Sequence, residues 1–203
     1  VLGGAKVSDK LGMLKKLISK VDALVIGGAM AYTFLRAQGQ NVGSSRVEEG
    51  LVETAERILK KATELGVEVF LPSDHIVTAQ FDSCADFRVV SENGFDKNEM
   101  ALDIGPQTQE RFARALSRAG SIFWNGPMGV FEWPEFSKGT MAVMTAVAQS
   151  ESFSVVGGGD SVAALKQGGM QNQISHVSTG GGASMELMET GTLPGLEVLG
   201  FRA

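Results

Sequence analysis

Cysteine occurs once in the 203 residues, at Cys84, and histidine twice, at His75 and His176. An internal disulfide is therefore excluded, as is a clustered Cys/His metal site, and a reducing cytoplasm is the expected compartment. Basic residues are outnumbered, 18 Lys and Arg against 23 Asp and Glu, for a net charge of -5. Without a diffuse basic surface the chain is not expected to bind nucleic acid, and any polyanion must be held at a local site. No apolar run approaches the roughly 18 residues of a membrane-crossing helix, and no basic-then-apolar leader precedes the first glycine pair, so no membrane association is expected. The P-loop, the G-x-G-x-x-G dinucleotide fingerprint, G-x-S-x-G and H-E-x-x-H are all absent. Walker-type nucleotide binding, serine hydrolysis and zinc peptidase chemistry lose their usual signatures with them.

Glycine is abundant, 26 of 203, and it is clustered. Its clusters punctuate an alternation of apolar strands and amphipathic helices. Leu11, Leu14, Leu17, Ile18 and Val21 recur at helical spacing, with Ser8 near the expected N-cap. Ala23 to Ile26 is a short apolar run ending at Gly27-Gly28, the pattern of a buried parallel strand entering a tight turn. Helices are predicted over Ala29–Gln38, Val47–Leu65, Thr108–Arg118, Phe136–Gln149, Ser161–Gln167 and Ala183–Glu189. Strands are predicted over Val67–Leu71, Ser121–Trp124, Phe153–Val156 and His176–Ser178. From Ser73 to Met100 the pattern weakens, and Ile76–Gln80 and Phe87–Val90 read as strands of an antiparallel excursion. Alternating strands and helices specify an α/β fold: a doubly wound, mainly parallel sheet with helices on both faces, a Rossmann-like three-layer domain spanning residues 1–203. Only Val1 and Leu2 precede the first glycine pair, and the chain has no initiator Met, so it is expected to be a piece of a longer protein.

Four strand ends carry glycines followed by a helix: Gly3-Gly4, Gly27-Gly28, Gly157 to Gly159 and Gly180 to Gly182. A fifth carries Asn125-Gly126-Pro127. In a doubly wound sheet all five lie on the carboxyl edge, where helix starts present free N–H groups and a positive dipole end. A single glycine pair is most often just a tight turn, but four in register, flanked by Lys6 and Lys10 and closed by Asp160, point to a phosphorylated ligand. Lys10 is badly placed for a first-turn cation unless it serves a ligand. Asp160 reads equally well as a helix N-cap, His176 as a core histidine, and the arginines as lying away from the glycine blocks.

The string from Gly3 to Lys10, GGAKVSDK, resembles the phosphoglycerate kinase family. The resemblance continues through Ile26–Phe34, Leu71–Asp74, Leu102–Pro106, Trp124–Glu132, Gly157–Ser161 and Ser175–Ser184. It implies the nucleotide-binding, C-terminal domain of a two-domain kinase that passes a phosphoryl group between 1,3-bisphosphoglycerate and ADP, giving 3-phosphoglycerate and ATP. By the same resemblance Lys10, Gly158 and Gly181 are the catalytic set and Asp160 holds Mg2+. Gly4, Ala5 and Lys6 approach the nucleotide phosphates with Lys10, as do Gly159 and Ser161. Asn125, Gly126, Pro127 and Glu132 wrap the nucleoside, and Gly27, Gly28, Ala101 and Leu102 line the adenine slot. Ala29 and Ala101 stand where many family members have glycine, which puts the shape of that slot in question. The N-terminal domain that binds the acid substrate has no counterpart here, so a monomer that holds Mg-ADP or Mg-ATP without turning over alone is expected. A non-catalytic nucleotide-binding or docking half-domain is the alternative.

Overall fold

The structure, a computed structural model, describes residues 1–92, 94–180 and 182–201. After a single turn of 3-10 helix at Ser8–Lys10, α1 spans Leu11–Leu17, β1 Ala23–Val25, α2 Ala31–Ala37 and α3 Val52–Leu65, followed by β2 at Glu68–Phe70. The middle of the chain contributes β3 (Asp74–Thr78), β4 (Arg88–Ser91), β5 (Met100–Ile104), α4 (Pro106–Leu116) and β6 (Ser121–Asn125). Then come α5 (Lys138–Gln149), β7 (Phe153–Gly157), α6 (Gly159–Gly168), β8 (His176–Val177), α7 (Ala183–Thr190) and α8 (Pro194–Val198).

Backbone bonds knit the parallel strands into one sheet around the first two residues. Leu2 N–H donates to Val25 O at 2.8 Å and Leu2 O accepts from Gly27 N–H at 2.8 Å. On the other side Asn125 N–H donates to Val1 O at 3.0 Å. With β2 paired to β1, and β8 to β7 to β6, the order is β2, β1, Val1-Leu2, β6, β7, β8. The order reverses direction between Leu2 and β6, and that is where a doubly wound sheet opens a crevice for its ligand.

Successive residues of a strand face opposite sides, and both sides are covered. Leu24 and Ile26 join a core beneath α1, α2 and α3, while Val25 points into a second core with Phe112 of α4, Val143 of α5 and Leu165 of α6. This explains why the parallel strands read as unbroken apolar runs. In α3 the buried residues Ala55, Ile58 and Ala62 follow the helical period, and the helix stops at Gly66 as its sequence predicts.

The antiparallel excursion is real and carries one more strand than expected. β3, buried along its whole length, lies between β4 and β5. Met100–Ile104 hides as a strand because it includes Asp103, a poor strand residue. The structure satisfies that carboxylate with backbone donors, Gly139 N–H at 2.7 Å and Ile104 N–H at 2.9 Å. Asp74 similarly accepts from Gln107 N–H at 2.9 Å and Thr108 N–H at 2.7 Å, capping α4 from a neighbouring strand.

Two local expectations are corrected. Ser8 caps no helix; its hydroxyl donates to Glu48 Oε1 at 2.6 Å, because the chain first makes a 3-10 turn that begins after Val7. His176 is exposed, since β8 is a two-residue strand at the sheet edge, and the core histidine is His75, 0% exposed on β3. His75 Nδ1 lies 3.0 Å from Tyr32 Oη.

Burial pushes the His75 pKa down to about 4, against the pull of Asp74, and pushes Asp103 up to about 7 against its backbone donors and Lys138. The consequences have opposite sign. Below pH 6.5 the unfolded chain protonates its histidine while the folded one resists until about 4, so acidification costs stability through His75. Below about 7 the folded chain protonates Asp103 before the unfolded one does, so acidification gains stability there. Thermal melting across this window should show Asp103→Asn losing stability with falling pH more steeply than the unmodified protein, and His75→Gln less steeply. Parallel slopes in all three would refute both assignments.

Candidate functional site

The turns at Gly3-Gly4, Gly27-Gly28, Asn125-Gly126-Pro127 and Gly157 to Gly159 converge at the carboxyl edge of the parallel sheet, beside the point where strand order reverses. They lock one another together. Gly4 N–H donates to Pro127 O at 2.8 Å, Gly28 N–H to Met128 O at 3.1 Å and Met30 N–H to Gly4 O at 3.0 Å. Gly28 has φ 67° and Gly126 φ 97°. A Cβ on Gly28 would stand 2.5 Å from Gly4 N, and one on Gly126 would stand 2.3 Å from Gly3 O. No other residue fits either position, for reasons of conformation and of space.

That finding revises the expected role of several amides. Those of Gly4, Gly28 and Gly126 are taken by protein acceptors, so they hold the turns in place rather than facing a ligand. The free donors lie elsewhere: among the described residues no partner is found for the N–H groups of Ala5, Lys6, Gly159, Asp160 and Ser161. The last three form the first turn of α6, a ten-residue helix whose N-terminal dipole adds to their donor capacity. Gly159 faces open space, with nothing within 4 Å of a built Cβ.

Beside these donors lies a cleft of about 440 Å³. Gly4, Ala5, Gly28, Ala101, Leu102, Pro127, Glu132 and Asp160, all expected site residues, line it. Met100, Ala101 and Leu102 of β5 form an apolar wall, continued by Phe81, whose ring packs against Trp133 at a tilt of 50° with centroids 4.7 Å apart. Asp160 is exposed, and among the described residues its carboxylate has no hydrogen-bond or ion-pair partner. It does not cap its helix: α6 begins after Gly158 with no side-chain cap.

The remaining expected residues sit behind or beside the cleft. Lys10 is only 8% exposed, and its Nζ donates to Asn125 Oδ1, while Asn125 Nδ2 donates to Gly157 O at 3.0 Å. Burial lowers the Lys10 pKa, and Asp9 and Asp160 partly restore it, so Asp160 acts on the same ammonium. Asn125, expected to wrap the nucleoside, is buried with both ends of its amide engaged, and it holds the Lys10 ammonium in place. Gly126 is buried beneath the turn, its carbonyl accepting from Trp124 Nε1 at 2.8 Å. Ser161 is also buried, its Oγ accepting from Gly126 N–H at 2.6 Å, while its backbone N–H has no partner among the described residues. Gly27 lies under Met128 Sδ, outside the slot. Gly158 makes the turn into α6 against the Asn125 amide, and Lys6 is exposed on the first glycine turn, outside the cleft wall. Gly181 lies outside the described residues.

Among the cleft residues that sequence reasoning did not place in the site are Tyr32, Arg46, Phe81, Met100 and Asp103. Arg46 contradicts the expectation that every arginine lies away from the glycine blocks, because the loop between α2 and α3 folds back over the slot. Phe81 left a faint signal, being apolar in a polar loop and 64% exposed.

A second depression, of about 730 Å³, lies at the opposite edge, between Asp22–Val25 and Gly120–Phe123. None of the glycine turns reaches it. Among the described residues no group of His, Cys, Asp and Glu could hold a metal unaided, and no helix is long and apolar enough to cross a membrane.

Comparison with known proteins agrees with this geometry. A family model described as phosphoglycerate kinase matches residues 1–191. The chain is 54% identical over 200 residues to a phosphoglycerate kinase of Thermus thermophilus, covering 98% of this chain and 51% of that protein. It is 52% identical over 201 residues to one from Acidobacterium capsulatum, covering 98% and 50%. The solved phosphoglycerate kinase structure from Coxiella burnetii superposes with a TM-score of 0.94 at 43% identity, over 98% of this chain and 51% of that one. The chain thus spans about half the length of the relatives it matches. By family model, by relatives and by fold, it belongs to the phosphoglycerate kinase family.

Proposed function

We propose that this chain is the nucleotide-binding domain of a cytoplasmic phosphoglycerate kinase, holding Mg-ADP or Mg-ATP for reversible phosphoryl transfer with 1,3-bisphosphoglycerate. The observation that carries this reading is the continuity of one cleft, from the apolar wall of β5 to the Asp160 carboxylate at the start of α6, with Lys10 behind it. A base and a charged phosphate tail need those two environments side by side. The acid substrate would be presented by a domain outside this chain, and the chain alone is a monomer without turnover.

Phosphoryl transfer places little covalent demand on the protein and a large electrostatic one, because charge spreads over the equatorial oxygens. The amides of Gly159, Asp160 and Ser161 are fixed by α6 and can hold a phosphate without rearrangement. Lys10 adds a cation whose direction is set by Asn125, and partial desolvation strengthens its field. Ala5 offers a further amide from the cleft wall, and Glu132 stands where a ribose hydroxyl could donate to it. The unpartnered Asp160 carboxylate suits Mg2+, which typically takes one or two protein carboxylates and completes its shell with substrate phosphates and water. Bound there, the ion would neutralise phosphate charge.

Titration calorimetry tests the reading. Mg-ADP should bind the 203-residue protein with a dissociation constant in the micromolar to millimolar range. Asp160→Ala should weaken Mg-ADP by about tenfold or more while changing metal-free ADP little, since only the chelate uses the carboxylate. Absence of any heat or competition with Mg-ADP would reject the function.

A further inference from the structure

Arg46 is the one cation lining the cleft among the described residues, and nothing so far gives it a task. Arg36, Arg57, Arg88 and Arg114 each pair with a carboxylate, whereas Arg46, like Arg111 and Arg118, makes no ion pair among the described residues. Its charge acts on Glu48, whose pKa falls below the ordinary value despite the upward pull of partial burial. Bonds from Ser8 and Val7 lower it first, and the charge of Arg46 contributes last. Glu48 is thus already engaged by other donors, and the guanidinium keeps its five N–H groups for another acceptor.

The backbone around Arg46 is held against the apolar end of the cleft. Ala101 N–H donates to Ser45 Oγ at 3.0 Å and Ser44 N–H donates to Glu99 O at 2.7 Å. Arg46 therefore leaves a segment fastened to the start of β5, beside Met100 and Ala101. Asp160 and the free amides of α6 belong to the other end, where a phosphate tail would lie. A planar donor at the rim of an apolar slot meets the edge of whatever ring enters that slot.

Resting on the reading of the cleft as a nucleotide site, we propose that Arg46 contacts the nucleobase edge and sets base preference, favouring purines with an oxygen at position six. Such a base offers two adjacent acceptors, the six-oxygen and N7, which match the fork of a guanidinium. Adenine offers N7 beside an amino group, which sets donor against donor. Arg46 thereby tilts the preference of the slot from adenosine toward guanosine and inosine diphosphates.

Calorimetric or competition affinities for Mg-ADP, Mg-GDP and Mg-IDP, measured on the intact protein and on Arg46→Ala and Arg46→Lys, provide the test. Arg46 is exposed, so both variants should fold, which a melting curve checks. In Arg46→Ala, GDP and IDP should weaken by about tenfold while ADP stays within about twofold, and Arg46→Lys should recover little of the loss because it lacks the fork. If all three nucleotides weaken alike, Arg46 serves the phosphates and the proposal fails. It fails equally if the GDP to ADP ratio is unchanged. If the unmodified protein binds none of the three, the nucleotide site itself is rejected, an outcome separate from either.

Discussion

Gly126→Ala should destabilise the protein by about 4 kcal/mol or more, an effect in the range reserved for strained backbone and severe steric conflict. At φ 97° an alanine is conformationally strained, and its Cβ would lie 2.3 Å from the Gly3 carbonyl oxygen. Neither partner can yield. Gly3 is fixed by its N–H bond to Asn125 O at 2.9 Å, and Gly126 by its bonds to Ser161 and Trp124. For a domain of this size the melting temperature should fall by roughly 10 °C. Gly159→Ala is the contrast: its surroundings are open, and alanine in the first turn of α6 should leave folding unchanged or improve it by up to about 1 kcal/mol. The same methyl group would stand among the free amides and should weaken Mg-ADP. Equal stability losses in the two variants would show that the glycines cannot be divided into those that hold the turns and those that face a ligand.

The second large effect is expected at Lys10. Replacing it with methionine keeps the hydrophobic stem and removes a charge held at 8% exposure. Burial already lowers the lysine pKa, so the folded protein bears a desolvation cost for that charge. The variant frees that cost but leaves Asn125 Oδ1 without its donor, a loss of about 1 to 3 kcal/mol, so the net change in stability should be small. Nucleotide binding should behave differently. Removing the cation behind the phosphate end should weaken Mg-ADP by at least about tenfold, and Lys10→Arg should not restore it, because a planar fork cannot occupy the ammonium's place against Asn125. Calorimetry on the three proteins decides the matter. Undiminished affinity in Lys10→Met would assign the lysine to folding alone and leave the phosphate end to α6.

Much of this architecture is legible from residue order. Apolar runs at Ala23–Ile26, Ser121–Trp124 and Phe153–Val156, each followed by glycine and a helical period, can form little except parallel strands with crossovers. Carboxyl-edge convergence of the turns follows from that topology. Asp160 and Ala5 were legible for the same reason, since a residue at a helix start or in a tight turn is placed by local geometry alone.

Other features depend on partners far away in sequence. Asn125, Ser161 and Gly126 read as ligand contacts, yet the fold brings Lys10, Gly157 and one another within bonding distance and engages the Asn125 side chain, the Gly126 N–H and the Ser161 hydroxyl. Met100–Ile104 became a strand because Gly139 supplies a backbone donor to Asp103 from α5, which no local pattern announces. Arg46 and Phe81 reached the cleft because two loops fold over the sheet edge. Local sequence thus determined the strands, the helices and the edge at which the turns meet, because backbone conformation and hydrophobic periodicity act over a few residues. Only the tertiary structure decided which polar groups remain free for a ligand, because a hydrogen bond is taken or left open by whatever distant segment packs against it.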